Sequence, residues 1–107
     1  MEYDKLKFIL ANYNWNHGFD IPKKILNEKT CDLALALEIF YLCDGYAYFL
    51  NGKTGSSEWL EFISNLYIEI VNGKYQLSQY HYEIPLNFMQ KDHLRKNGVP
   101  NVFLKDV

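Results

Sequence analysis

The sequence predicts an all-α domain: a bundle of about five helices around a buried central helix, residues 33–43, with an irregular or short extended segment near 74–84. Three observations predict it. Leu33 to Cys43 (LALALEIFYLC) is apolar nearly all round, with Glu38 its one charge, the pattern of a helix enclosed by protein. Residues 58–72 place Trp59, Phe62, Ile63, Leu66 and Ile70 at helical spacing. The 107 residues are 49% hydrophobic and 17% aromatic, enough for one core without disulfides or a structural metal. A single domain, 1–107, follows, since no repeat or linker interrupts the chain.

Taken in order, Glu2–Tyr13 is the first helix, with Leu6, Ile9, Leu10 and Tyr13 on one face. Asn14 to Gly18 breaks it with turn-forming residues. Pro22 suits the first turn of a short second helix ending near Glu28. Asp32 is placed to cap the central helix, and Gly45 to stop it. Tyr46–Leu50 reads equally as a short helix or an extended piece. Asn51–Ser56 reads as a polar loop and a candidate for local mobility. Ser57 caps the helix Glu58–Asn72, which Asn72-Gly73 ends. Pro85 opens a last helix, about Leu86–Lys96, with Leu86, Met89 and Leu94 inward and His93 near that face. The tail Val99–Leu104 is apolar enough to pack back on the body.

Eleven basic and thirteen acidic residues give a formal net charge of −2, so the chain lacks the basic footprint of a nucleic-acid or anionic-membrane binder. No apolar run approaches the roughly 20 residues of a membrane helix. Met1–Lys5 is polar, which leads to an expected cytoplasmic location. Cys31 and Cys43 fit no CxxC spacing and read as reduced packing thiols, a disulfide being the alternative.

No nucleophile elbow, P-loop, dinucleotide fingerprint or zincin motif is present, so no catalytic, cofactor-binding or metal-binding residue is assigned and no cofactor is expected. One enzyme reading has a mechanism: Cys31, just before a helix start, paired with His17 or His81 as base. Two features suit a binding surface instead. Glu58, Glu61, Asn65, Glu69 and Asn72 form an acidic stripe with no lysine interleaved. Tyr75, Tyr80 and Tyr82 crowd one irregular segment, and tyrosine is an interface residue. Asp44, an acid at a helix C-terminus, calls for compensation. A hydrogen bond to Asp44 from Trp15 Nε1 or from a loop amide, tying the first loop to the central helix, would supply it.

Two blocks carry a family resemblance. The first runs from Ala11 to Tyr46: Ala-Asn-Tyr-Asn-Trp, Gly-Phe-Asp-Ile-Pro, Cys-Asp-Leu and Ala-Leu-Glu-Ile-Phe-Tyr-Leu-Cys-Asp-Gly-Tyr. The second is Tyr82-Glu83-Ile84-Pro85-Leu86 with Leu94-Arg95-Lys96-Asn97, Pro100 and Phe103-Leu104. Together they resemble the bacterial domain-of-unknown-function family 4274. The chain departs from the family pattern at Asn16-His17, where an acidic pair is usual, and at Ile84, where a second proline is usual. The resemblance implies a bacterial source and a fold, and names no activity.

The leading functional expectation is a non-enzymatic protein-binding module. Its partner would be another protein, and a basic toxin domain would make the chain an immunity protein. Nucleic acid and membrane are not expected partners, and the chain itself would be a monomer or weak homodimer. A small Cys/His or metal-dependent enzyme, and a structural domain that self-associates, are the alternatives.

Overall fold

The computed structural model describes residues 2–51 and 55–107. Six α-helices follow one another: α1 (Tyr3–Ala11), α2 (Asp20–Leu26), α3 (Leu33–Leu42), α4 (Gly45–Asn51), α5 (Ser57–Val71) and α6 (Phe88–Lys96). Two 3₁₀ turns, Trp15–His17 and Asn101–Phe103, complete the order. The all-α expectation holds, with no strand among the described residues. Residues 52–54, half of the polar loop expected over 51–56, lie outside the described residues.

Central helix α3 forms because Asp32 caps it and almost every side chain along it finds protein to pack on. Ala34, Leu35, Ala36, Leu37, Ile39 and Phe40 are all buried. Its main helical neighbours are α5 and α4. Glu38 is half-buried and ion-paired with Lys7 of α1. No single described helix is long and apolar enough to cross a membrane. Helices α3 and α4 together have the composition, but they meet at a bend of 63°.

Asp32 is the one buried charged residue among those described, and it joins three parts of the chain. One carboxylate oxygen accepts the Leu35 amide at 2.9 Å and the Tyr3 hydroxyl of α1 at 2.8 Å. The other accepts the Ser78 hydroxyl from the segment after α5. Burial, and then the Asp32 carboxylate itself, push the Tyr3 hydroxyl pKa far above its ordinary range, so it remains a donor.

Several boundaries differ from the sequence expectation for local reasons. Gly45 does not stop α3; it begins α4. Asp44 takes the left-handed conformation instead, with φ 65°, which Asp tolerates better than most side chains. Gly45 is required for space: a Cβ there would lie 2.3 Å from the Phe40 ring and 2.7 Å from the Phe40 carbonyl oxygen. Ser56, not Ser57, caps α5, its hydroxyl accepting the Trp59 amide at 3.3 Å.

The last helix starts at Phe88, later than Pro85-Leu86 predicts, because Asn87 and Gln90 form a reciprocal capping box. Leu94 faces inward while Met89 and His93 face outward, since five residues put Met89 about 140° around the helix from Leu94 and one face cannot hold both. Segment 74–84 is irregular; its nearest approach to a strand is Tyr82, which exchanges both backbone hydrogen bonds with Val107 at 2.9 Å each. The tail packs back as expected, Phe103 and Leu104 both being buried.

Candidate interaction surface

Helix α5 is more apolar than one buried face requires. Phe62, Ile63, Leu66 and Ile70 face the core. Leu60, Ser64, Tyr67 and Val71 follow at the spacing of an adjacent ridge, i, i+4, i+7 and i+11, and Ile68 lies beyond them toward solvent. Ile68 and Val71 keep 52% and 45% of their surface exposed. Leu60 and Tyr67 are half-buried because the ridge forms one wall of a cleft of about 650 Å³. Tyr48 and Phe49 of α4 form another wall, and the turn Asn97-Gly98-Val99 after α6 closes it.

The cleft walls are braced from behind. Tyr67 stacks on the buried Phe103 ring at 5.0 Å with an interplanar angle of 2°. Phe49 packs on both Phe40 and Phe103 at 5.3 Å. Tyr48 lies 5.9 Å from Tyr67. Trp59 anchors the α3–α4 junction to α5, its indole N–H donating to the Cys43 carbonyl at 2.7 Å. The rings are thus held in place by packing against the core.

The acidic stripe lies on the opposite flank of α5. Glu58 and Glu61 are exposed and share a polar hollow of about 430 Å³ with His17, Asp20 and Lys23. Asn65 and Glu69 border a smaller hollow that Lys23 also enters. Glu69 is ion-paired with Lys74 and half-buried. The stripe therefore lacks lysine only along its own helix. Lys23 and Lys74 come to it from elsewhere, Lys74 to Glu69 and Lys23 to the hollow where Asp20 of α2 joins Glu58 and Glu61.

The tyrosine segment is not an open surface. Tyr75 is buried, with a hydroxyl that finds no hydrogen-bond partner among the described residues. Tyr80 stacks on Tyr3 at 3.6 Å, and Tyr82 is half-buried beside Val107. These rings fasten the segment to the body because it has no helix or sheet of its own to do so.

The expected tie from Trp15 to Asp44 is absent. Trp15 packs among Tyr13 and Phe19, while Asp44 is exposed. It is Trp59 that bonds this junction. The dipole argument is answered differently: the Asp44 carbonyl accepts the Tyr48 amide at 3.0 Å, placing Asp44 at the start of α4, where a negative charge is favourable.

Both thiols are poor nucleophiles at neutral pH. Burial, with the Asp32 charge second, pushes Cys31 up to about 12. Burial, with Asp44 second, does the same to Cys43. The two flank α3 at opposite ends, about 18 Å apart at 1.5 Å per residue, far beyond disulfide reach. His17, His81 and His93 are all exposed, so the buried Cys31 lacks an enclosed base. Among the described residues no group of three or more His, Cys, Asp or Glu side chains is arranged to hold a metal ion.

The model of a family described as a domain of unknown function, DUF4274, matches residues 2–71. The chain belongs to the DUF4274 family. Comparison with curated proteins and with solved structures gave no match. The DUF4274 match spans α1 to α5 and so includes Tyr48, Phe49, Leu60, Ser64 and Tyr67 of the cleft. Asn97 to Val99, the resemblance block from Tyr82 onward and the core residue Phe103 lie outside it.

The sequence carried a signal for the cleft that periodicity of one face overlooks. Residues 59–71 include nine apolar or aromatic side chains (Trp59, Leu60, Phe62, Ile63, Leu66, Tyr67, Ile68, Ile70 and Val71). A helix with only one neighbour at its back cannot bury that many.

Proposed function

We propose that this DUF4274 chain is a non-enzymatic protein-binding module, and that its partner docks on the apolar flank of α5 and the aromatic cleft beside it. The observation that carries the reading is the continuity of that surface. Exposed Ile68 and Val71 run into a cleft whose walls are rigid aromatic rings. Interfaces commonly combine such an apolar, aromatic centre with a polar rim. Ser64 and Asn97 are the polar groups at the cleft.

The acids on the far flank give the reading its electrostatic preference. Glu58, Glu61 and Asp20 favour approach by a cationic surface and would speed its association. Neutralisation of a basic toxin domain is the biological role that this chemistry suits.

Ile68→Asp tests the surface. The side chain is half in solvent, so the variant should melt within a few degrees of the native protein. Native and variant chains are immobilised in parallel and exposed to extract and to culture medium from competing cells. A stoichiometric partner held by the native chain should be lost, by about tenfold or more in affinity, from Ile68→Asp. Equal retention by the two chains would contradict the assignment.

A further inference from the structure

The two most exposed large apolar side chains among the described residues are neighbours. Phe88 and Met89 are 79% and 78% exposed and are consecutive, at the start of α6. Neither contributes to the fold through burial. Their backbone is nevertheless firmly set. The Gln90 amide donates to the Asn87 side chain and the Asn87 amide to the Gln90 side chain, each at 2.8 Å. Leu94 fixes the opposite face in the core. The helix therefore presents two large side chains from a rigid base, the arrangement that lowers the entropy cost of docking.

The charge around the pair is opposite in sign to that of the chain. Helix α6 carries Lys91, Arg95 and Lys96 against one carboxylate, Asp92, in a protein of net charge −2. Lys96 is paired with Asp92 at 3.0 Å, and Lys91 lies 3.8 Å from Asp106. Arg95 has no ion pair among the described residues. At 100° per residue Arg95 lies two turns on and within about 20° of Phe88 around the helix, and about 120° from Met89, so it shares Phe88's side of the helix. Exposed His93 is near the same end.

We infer that α6 is a second docking surface, for a protein partner that offers an apolar pocket rimmed by carboxylates. Phe88 and Met89 enter the pocket, and Arg95 meets the rim. Arginine suits this because its planar fork pairs with carboxylates in two-point geometry. The surface is separate from the α5 face and of opposite electrostatic preference, so it does not rest on the function proposed above. A bilayer is a poorer occupant. Two apolar side chains are few for interfacial insertion, the helix lacks a cluster of four or more unpaired cations, and the net negative charge opposes approach to anionic lipid.

The test uses the full chain, immobilised, against a displayed library of random peptides. The same chain is then mixed with vesicles of equal parts phosphatidylserine and phosphatidylcholine. Selected peptides should combine Asp or Glu with aromatic or aliphatic residues. Their binding should weaken with added salt and fall about tenfold or more in Phe88→Ser/Met89→Ser and in Arg95→Glu. All three side chains project from the surface, so unchanged melting temperatures separate lost binding from lost fold. Selection of peptides without acidic enrichment, selection of none, or binding unaffected by the substitutions would overturn the inference. Vesicle binding that depends on Phe88 would overturn it in favour of lipid. Concentration-dependent self-association in sedimentation, lost in Phe88→Ser, would overturn it in favour of a second copy of the chain.

Discussion

Asp32→Ala lowers the stability of the fold by about 3–4 kcal/mol, an effect combining a lost helix cap with the loss of charged hydrogen bonds to buried donors. The substitution removes the cap of α3 and leaves the Tyr3 hydroxyl, which belongs to a buried side chain, without its acceptor. It also frees Ser78, and with it one of the fastenings of the segment after α5. For a domain of this size the melting temperature should fall by roughly 12–25 °C. Asp32→Asn is the informative companion. Its amide oxygen keeps the bonds to Leu35 and Tyr3, and the Ser78 hydroxyl can turn to accept from the amide nitrogen. The Asn variant should therefore lose only about 1 kcal/mol. Thermal and urea unfolding of the two variants measure the difference, and equal losses would show that Asp32 acts by charge alone.

Gly45→Ala is expected to be nearly as damaging, by overpacking. The added methyl group would sit 2.3 Å from two ring atoms of Phe40 and 2.7 Å from its carbonyl oxygen. The ring cannot swing aside, because it is fully buried against Tyr48, Phe49 and Phe103. The carbonyl is part of α3 and cannot move without the helix. A cost of about 3 kcal/mol follows, at the upper end of what overpacking usually brings. Shortening the obstacle should recover part of it: Gly45→Ala/Phe40→Leu should be more stable than the sum of the single changes predicts, by 1 kcal/mol or so. Strict additivity in urea unfolding would mean that α3 and α4 meet in some other way.

These two positions show how far local pattern carries in this protein. Asp32 was legible as a cap, because a cap is a relation among four consecutive residues. Its bonds to Tyr3 and Ser78 were not, since they link positions 29 and 46 residues away. Gly45 was legible as a punctuation mark, but the sequence could not say which residue of the Asp44-Gly45 pair would take the left-handed conformation. Packing against Phe40 decided that. The choice of Trp15 as the residue that ties down the α3 end failed for the same reason. A tryptophan N–H needs an acceptor, but only the tertiary fold brings Trp59, and not Trp15, to it.

The surfaces divide in the same way. Glu58 and Glu61 are exposed, as the spacing of the acidic stripe predicts, whereas the neighbours that partly neutralise the stripe, Lys23 and Lys74, come from outside α5. Tyr75, Tyr80 and Tyr82 look like contact residues by type and turn out to be fasteners, because an irregular segment must be held down by its side chains. Met89 looks like a core residue by type, yet it lies about 140° around α6 from buried Leu94 and so faces solvent. The aromatic cleft assembles Tyr48, Tyr67 and Asn97 from three separated stretches, so only the surplus of apolar residues in α5 announced it.

Hydrogen–deuterium exchange of the chain alone and with its captured partner tests the central claim, the place of the binding face, most directly. The account predicts that the partner slows exchange at Gly45–Asn51, along the C-terminal half of α5 and at the turn 97–99. Protection confined to α2 and the 74–84 segment, with those three regions unchanged, would contradict it.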